Sequence, residues 1–297
     1  MRAAVLCLGR LWCDLLFTGL PRLPTPGSEV FAEDVAIAPG GGAFITASVL
    51  AAGGRRAYLL SRLGLDPLSA ALEPSLRASG VDLAFLERAV DAGPQPTVAL
   101  IQGAERAFLS RRAGSSKPAL WRAALSAPDV RHLHIAEAAT LFDMPDLIET
   151  AKSQGLTLSL DPSWDDALLF RPDFLERCAG IDVFLPNDAE FEAVTGGQTW
   201  ASGLDLLARH FPLTVVKRGA EGAIAARGAE RLSIPAPPCL LRDSTGAGDS
   251  FNAGLLDGWL AGTQLSEAVA MGVTAGGAAV GRIGGAPAFK DIAVREI

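Results

Sequence analysis

Cysteine, histidine and aromatic residues are scarce in this sequence, and each scarcity removes a class of chemistry. The four cysteines (Cys7, Cys13, Cys178 and Cys239) contain no C-x-x-C pair, and the three histidines (His132, His134 and His210) complete no zinc pattern. Neither a structural zinc site nor a dithiol redox centre is expected. The cysteines read instead as reduced small hydrophobes of a cytoplasmic protein. His132 and His134 alternate within a strand-like run, which favours a structural role for both. Lys and Arg form no dense cluster, and 26 basic against 33 acidic residues leave a net charge of −7. Nothing here would follow a phosphate backbone, so nucleic acid is not expected as a partner. No stretch approaches the ~20 uninterrupted apolar residues of a membrane span, so no membrane partner is expected either. The apolar start, residues 1–20, is interrupted by Arg10 and Asp14 and lacks a small-residue cleavage site, which argues against a signal peptide. A G-x-x-x-x-G-K-[ST] loop is missing, and no strand is followed by G-x-G-x-x-G. P-loop and dinucleotide-binding folds are thereby set aside.

What the chain does have is aliphatic bulk. Of its 297 residues 49% are hydrophobic, only 6% are aromatic, and 32 are glycine. Such a core rests on aliphatic side chains and close backbone approach. The length suits one large α/β domain or two small ones. Strand-like runs at 3–9, 56–61, 132–136, 156–160, 183–185 and 213–217 alternate with helix-period segments at 43–52, 67–79, 145–153, 188–194 and 201–210. Continuous apolar strands separated by helices predict a mostly parallel sheet covered on both faces. Two further helices are expected at 248–261 and 264–282, in a stretch rich in Gly and Ala. Two regions break the alternation: 14–37, with its prolines and a short run at 29–37, and 97–111, which reads as two strands around a turn. Together they predict a small antiparallel sheet standing apart as a lid.

The chemistry is concentrated in Asp243-Ser244-Thr245-Gly246-Ala247-Gly248-Asp249-Ser250-Phe251. Three small residues precede a helix, so backbone N–H groups and the helix start make a nest for an anion. Asp249 stands in the same turn, placed to take a proton from an attacking hydroxyl. The residues alone equally allow an Asp capping a helix after a glycine turn.

This segment resembles the C-terminal signature of the ribokinase-like (PfkB) carbohydrate kinases, in which the glycine turn is the anion hole and its Asp the catalytic base. The resemblance therefore implies Gly246, Ala247, Gly248 and Asp249 as the catalytic group. Other segments resemble the family in the same order. Gly40-Gly41-Gly42-Ala43-Phe44-Ile45-Thr46-Ala47 is similar to its N-terminal pattern G-G-x-x-x-N-x-A, which implies Gly41, Gly42 and Thr46 at the acceptor. Pro186-Asn187-Asp188-Ala189-Glu190 is similar to the N-x-x-E motif that organises Mg²⁺ through water, and Asn187 and Glu190 share one helix face. The segment from Val216 to Gly222 resembles the strand and turn beneath the nucleotide phosphates, which implies Lys217, Gly219 and Gly222, with Asn187, Thr245, Gly246 and Gly248, on the cofactor side. Asp14 falls where the family holds sugar hydroxyls. Asp243 and Thr245 resemble a monovalent-cation loop, completed by carbonyls of residues 281–285, where many members bind potassium.

The implied architecture is a single ribokinase-like domain over 1–297, a three-layer α/β/α fold with a lid from about 12–37 and 95–112. The implied activity is ATP- and Mg²⁺-dependent phosphorylation of a small sugar-like hydroxyl, in a cytoplasmic homodimer paired through Val98, Leu100 and Phe108 of the lid. Departures leave the acceptor open. The family Asn is Ile45 here, beside Phe44. The D-x-N-x-R pattern is Asp161-Pro162-Ser163-Trp164-Asp165, without the Arg that would hold a phosphorylated acceptor, although Arg106 could reach in from the lid. An apolar wall of Phe44, Ile45 and Trp164 would suit a nucleoside, so a nucleoside kinase is the alternative. A catalytically inactive binding or regulatory protein is the remote one.

Overall fold

The computed structural model describes residues 2–102, 105–239 and 244–281. Among these, thirteen strands run in chain order: β1 (Ala4–Leu8), β2 (Trp12–Thr18), β3 (Asp34–Gly40), β4 (Ala57–Leu63), β5 (Leu86–Arg88), β6 (Pro96–Gln102), β7 (Glu105–Ser110), β8 (Val130–Ile135), β9 (Thr157–Leu160), β10 (Val183–Phe184), β11 (Leu213–Lys217), β12 (Ala223–Arg227) and β13 (Glu230–Ile234). Nine form the main sheet in the order β13-β12-β11-β10-β9-β8-β1-β4-β5. From β11 to β5 every pairing is parallel. The edge β12 and β13 are antiparallel. Alternate residues of β1 leave on opposite faces, Ala4, Leu6 and Leu8 into one core and Val5 and Cys7 into the other. All five are buried, as a parallel strand with helices on both faces requires.

The edge hairpin β12–β13 was not legible from the sequence. Its first strand reads Ala-Ile-Ala-Ala-Arg, and alanine carries little strand preference. His132 and His134 are fully buried on β8. Both bond Ser159 Oγ at 2.8 Å, and His132 also reaches Thr157 Oγ1 at 2.8 Å. Burial pushes His134 down to about 4, so both rings stay neutral and structural.

The other four strands form the lid, in the order β3-β2-β6-β7. Its outer pairs are antiparallel, and the central β2–β6 pair is parallel. The third lid strand lies at Asp34–Gly40, later than the run at 29–37, because pairing with β2 sets its register from Thr18↔Asp34 to Trp12↔Gly40. Pro39 is tolerated there because β3 is an edge strand.

The two Gly/Ala-rich helices, Ala247–Leu260 and Leu265–Val280, close one face of the sheet. A Cβ on Gly254 would stand 2.5 Å from the Met271 carbonyl oxygen. Glycine here lets two backbones touch, and the contact offsets its ~1 kcal/mol helix penalty.

Candidate active site

A cavity of about 270 Å³ opens at the carboxyl ends of β1, β8, β9, β10 and β11, which supply Arg10, Glu137, Asp161, Asn187 and Lys217 in turn. Ligands of parallel α/β sheets bind at this edge because successive strand ends splay apart there. The glycine turn closes the cavity from the helix side. Gly246 adopts φ 69, a left-handed conformation that favours glycine, and the helix begins at Ala247. The first helical N–H groups have no carbonyl four residues back. That of Ala247 turns to Ser244 O at 3.2 Å, while Gly248 and Asp249 line the cavity.

Asp249 faces the first glycine segment. Its Oδ1 stands 2.7 Å from the position a Cβ would take on Gly42, so any other residue at 42 would displace the carboxylate. Burial pushes its carboxyl up to about 7, the charge of Asp161 adds to this, and Lys217 opposes it. Thr46, expected at the acceptor, is instead fully buried and donates to the Asp249 carbonyl at 3.1 Å. It braces the turn that carries the carboxylate. It stands in the helix Gly42–Ala52, outside the cavity lining.

Asn187 and Glu190 form a reciprocal cap. Asn187 N donates to Glu190 Oε2 at 2.8 Å, and Glu190 N donates to Asn187 Oδ1 at 2.9 Å. Both also line the cavity. Burial, then the charge of Asp161, pushes the Glu190 carboxyl up to about 7. Lys217 enters the same space. Its Nζ lies 2.5 Å from Asp161 Oδ2, which also accepts from Asn252 Nδ2 at 2.6 Å. Three carboxylates thus face one ammonium, an excess of negative charge that suits a cation. No three ligating side chains among the described residues converge to hold a metal by themselves.

The remaining wall is Arg10, Trp12, Gly41, Ala136, Glu137 and Ser163. Glu137 Oε1 accepts from Arg10 N at 3.2 Å and from Thr140 Oγ1 at 2.5 Å. The Arg10 guanidinium donates to Gln95 Oε1 and to the carbonyls of Ala113 and Gly114 at 2.7–2.9 Å, tying the cavity to the root of the lid. Gly41, at φ 95, leaves room for the Trp12 ring, which a Cβ would meet at 2.8 Å.

The apolar wall considered for a nucleoside does not form. Phe44 and Ile45 are buried in the core. Trp164 is 48% exposed against Phe170, away from the lining. Trp12 is the one aromatic ring lining the cavity among the described residues. Asp14 does not line it either. Its carboxylate lies over Gly40, at the foot of the Gly41–Gly42 wall. Gly219 and Gly222 bound the turn after β11, at φ 52 and 89, outside the cavity itself. Asp243, residues 282–285 and the side chain of Arg106 lie outside the described residues.

Sequence reasoning gave no role to Arg10, Trp12, Glu137 and Asn252, and quoted Asp161 only within a motif. Arg10, Glu137 and Asp161 follow the ends of parallel strands, Trp12 opens β2, and Asn252 sits one helical turn after Asp249. The strand ends and the helical spacing are signals in the pattern.

The family model of the pfkB family carbohydrate kinases matches residues 4–291. Bifunctional protein HldE of Azotobacter vinelandii is 31% identical over 304 residues, covering 95% of this chain and 61% of that protein. The chain thus spans about three-fifths of the length of the curated relatives it matches. Among solved structures, Arabidopsis thaliana ribokinase complexed with ribose and ATP superposes with a TM-score of 0.82 at 19% identity, covering 97% of this chain and 96% of that one. Adenosine kinase from Sinorhizobium meliloti gives 0.80 at 23% identity, with the same coverage of 97% and 96%. With a ribokinase-like fold and a family match that runs from β1 past the glycine turn, the chain belongs to the pfkB family of carbohydrate kinases.

Proposed function

We propose that the chain transfers the γ-phosphoryl group of ATP to a hydroxyl of a small sugar or sugar-like acceptor. The observation that carries this reading is the Asp249 carboxylate, set in the first turn of its helix against Gly42 and lining the cavity, where burial pushes its carboxyl up to about 7. A base of that strength takes the acceptor proton while the helix start holds the charge of the phosphoryl group. The acceptor would lie between Trp12, Glu137 and the Gly41–Gly42 wall, with Asp14 at its far edge. The nucleotide would lie toward the Gly219–Gly222 turn and Thr245. Mg²⁺ would be held by Glu190 directly or through water, with Asn187, and when bound supplies positive charge to the phosphates. Potassium at the loop of Asp243 and Thr245 is read from the resemblance, and the salt dependence of the rate tests it. Incubation with MgATP and a panel of pentoses, hexoses and nucleosides, followed by ADP release, tests the whole reading. A sugar is the expected acceptor, because the cavity wall is polar with a single stacking ring. Transfer to nucleosides alone would select the alternative.

Glu190→Gln keeps the oxygen that accepts from Asn187 N–H and loses the charge. The Mg²⁺ concentration for half-maximal rate should rise by roughly tenfold or more, and excess metal should restore part of the rate. An unchanged Mg²⁺ titration would make Glu190 a helix cap only.

We also propose a homodimer paired through the lid. Register puts Ile37, Leu15, Val98 and Leu109 in one row, with Val35, Phe17 and Leu100 in the next row on the same face. Leu109 is 73% exposed and Val35 52%, an apolar face that an isolated monomer rarely leaves open. Phe108 pairs with Ala99, on the opposite face, so Leu109 replaces it among the contacts expected beside Val98 and Leu100. Light scattering should give a dimer for the wild type and a monomer for Leu109→Asp. A wild-type monomer at high micromolar concentration contradicts the pairing. A cytoplasmic location is consistent with four free cysteines, three of them buried. No described helix is long and apolar enough to cross a membrane.

A further inference from the structure

Lys217 does not point where its sequence context suggests. It ends β11, just before the Gly219–Gly222 turn, yet its side chain turns back into the catalytic cavity. Its Nζ lies 2.5 Å from Asp161 Oδ2 and 3.5 Å from Asn252 Oδ1. The same Nζ is 3.4 Å from the position a Cβ would take on Gly248, so it sits in van der Waals range of the glycine turn. Asn252 bridges the two partners by donating to Asp161 Oδ2 at 2.6 Å. Asp161 is fixed in turn by Ser163 N at 3.1 Å, and Ser163 adopts φ 53, a conformation that side chains rarely take.

An ammonium has three donors. Two are directed by Asp161 and Asn252, and the third has no partner among the described residues. The lysine side chain is only 11% exposed and lines the cavity. Asp161, Glu190 and Asp249 surround it and hold it protonated, their charges outweighing the effect of burial. A lysine whose role was to neutralise Asp161 alone would not need to stand against Gly248.

We propose that Lys217 is a catalytic residue that donates its third N–H to an oxygen of the phosphoryl group during transfer, with Asp161 and Asn252 as positioning residues. This rests on the kinase reading above. In the step, the bond from the γ-phosphorus to the bridging oxygen of ADP breaks. The acceptor oxygen bonds to that phosphorus, its proton passes to Asp249, and ADP leaves with the electron pair. Charge spreads over the three equatorial oxygens of the phosphoryl group, and a fixed ammonium beside the glycine turn stabilises it without reorganising. The ammonium meets the charge that redistributes on those oxygens during transfer, which the ground-state nucleotide does not present in the same form. The contribution should therefore fall on turnover rather than on nucleotide affinity.

The test compares Lys217→Met and Lys217→Arg with the wild type. Arg keeps a countercharge for Asp161 should Met fail to fold. Turnover with the best acceptor of the panel should drop by about 10²–10³-fold in Lys217→Met, with the KM for ATP within about threefold. Binding of MgADP alone should be unchanged in both variants. Binding of MgADP with aluminium fluoride, which imitates the transferring phosphoryl group, should weaken by at least about thirtyfold. A purely structural lysine would instead lower both affinities by one factor, or neither, and either result overturns the proposal, as does turnover within threefold of wild type. A wild type that phosphorylates nothing in the panel counts against the kinase reading. The fluoroaluminate comparison needs no acceptor and still reads Lys217.

Discussion

Asp249→Asn should abolish turnover, by about 10²–10⁴-fold, and leave ATP affinity within a few fold. Asn keeps the shape that fits against Gly42 and keeps the backbone bond from Thr46 Oγ1 to the residue 249 carbonyl. It cannot accept a proton. The pH profile gives a second readout. Burial, then the charge of Asp161, pushes the carboxyl up to about 7. The base works only when ionised, so kcat/KM of the wild type should fall as pH drops through about 7, approaching tenfold per unit below it. Residual activity in the variant should lose that limb. A variant that retains more than roughly a tenth of wild-type turnover contradicts the assignment, since general-base catalysis is worth at least an order more.

Asp14→Ala should raise the acceptor KM by roughly two to four orders of magnitude, with little change in ATP affinity. A carboxylate accepts two hydrogen bonds from neighbouring hydroxyls, each contributing about 1.5–3 kcal/mol. Loss of both has that effect when KM reports binding. Asp14 lies on β2 between Ala38 and Thr97, with its carboxylate over Gly40. From there it borders the Gly41–Gly42 wall without lining the cavity. The competing role is visible in the same geometry, since a carboxylate packed on Gly40 also holds β3 against β2. A lower melting temperature with an unchanged acceptor KM would assign Asp14 to that packing. A large KM increase in a protein that melts as the wild type does would assign it to the acceptor.

The legible parts of this protein were those written locally. β11 lies where the run 213–217 placed it, and the helices at 188 and 247 start within a residue of expectation. Continuous apolar runs and glycine turns encode such features within a few residues of sequence. The site was legible in its motif and obscure in its side chains. Phe44, Ile45 and Thr46 belong to a helix buried on nearly every side, where periodicity names no outward face, so the pocket wall could not be told from the core behind it. Phe108 does not share a face with Val98 and Leu100, because a hairpin register sets side-chain direction and a shift of one residue reverses it. The group of Asp161, Lys217 and Asn252 joins positions 56 and 91 residues from Asp161. No local pattern announces such a contact.

Arg10 gives the lid a mechanical centre. One guanidinium holds Gln95 before β6 and Ala113 and Gly114 after β7, so both ends of that hairpin are pinned to a single point. The backbone N–H of the same residue is bonded to Glu137 in the cavity. A hairpin fastened at both roots cannot shear one strand past the other. The cavity wall at Glu137 and both roots of the hairpin are thus fastened through one residue.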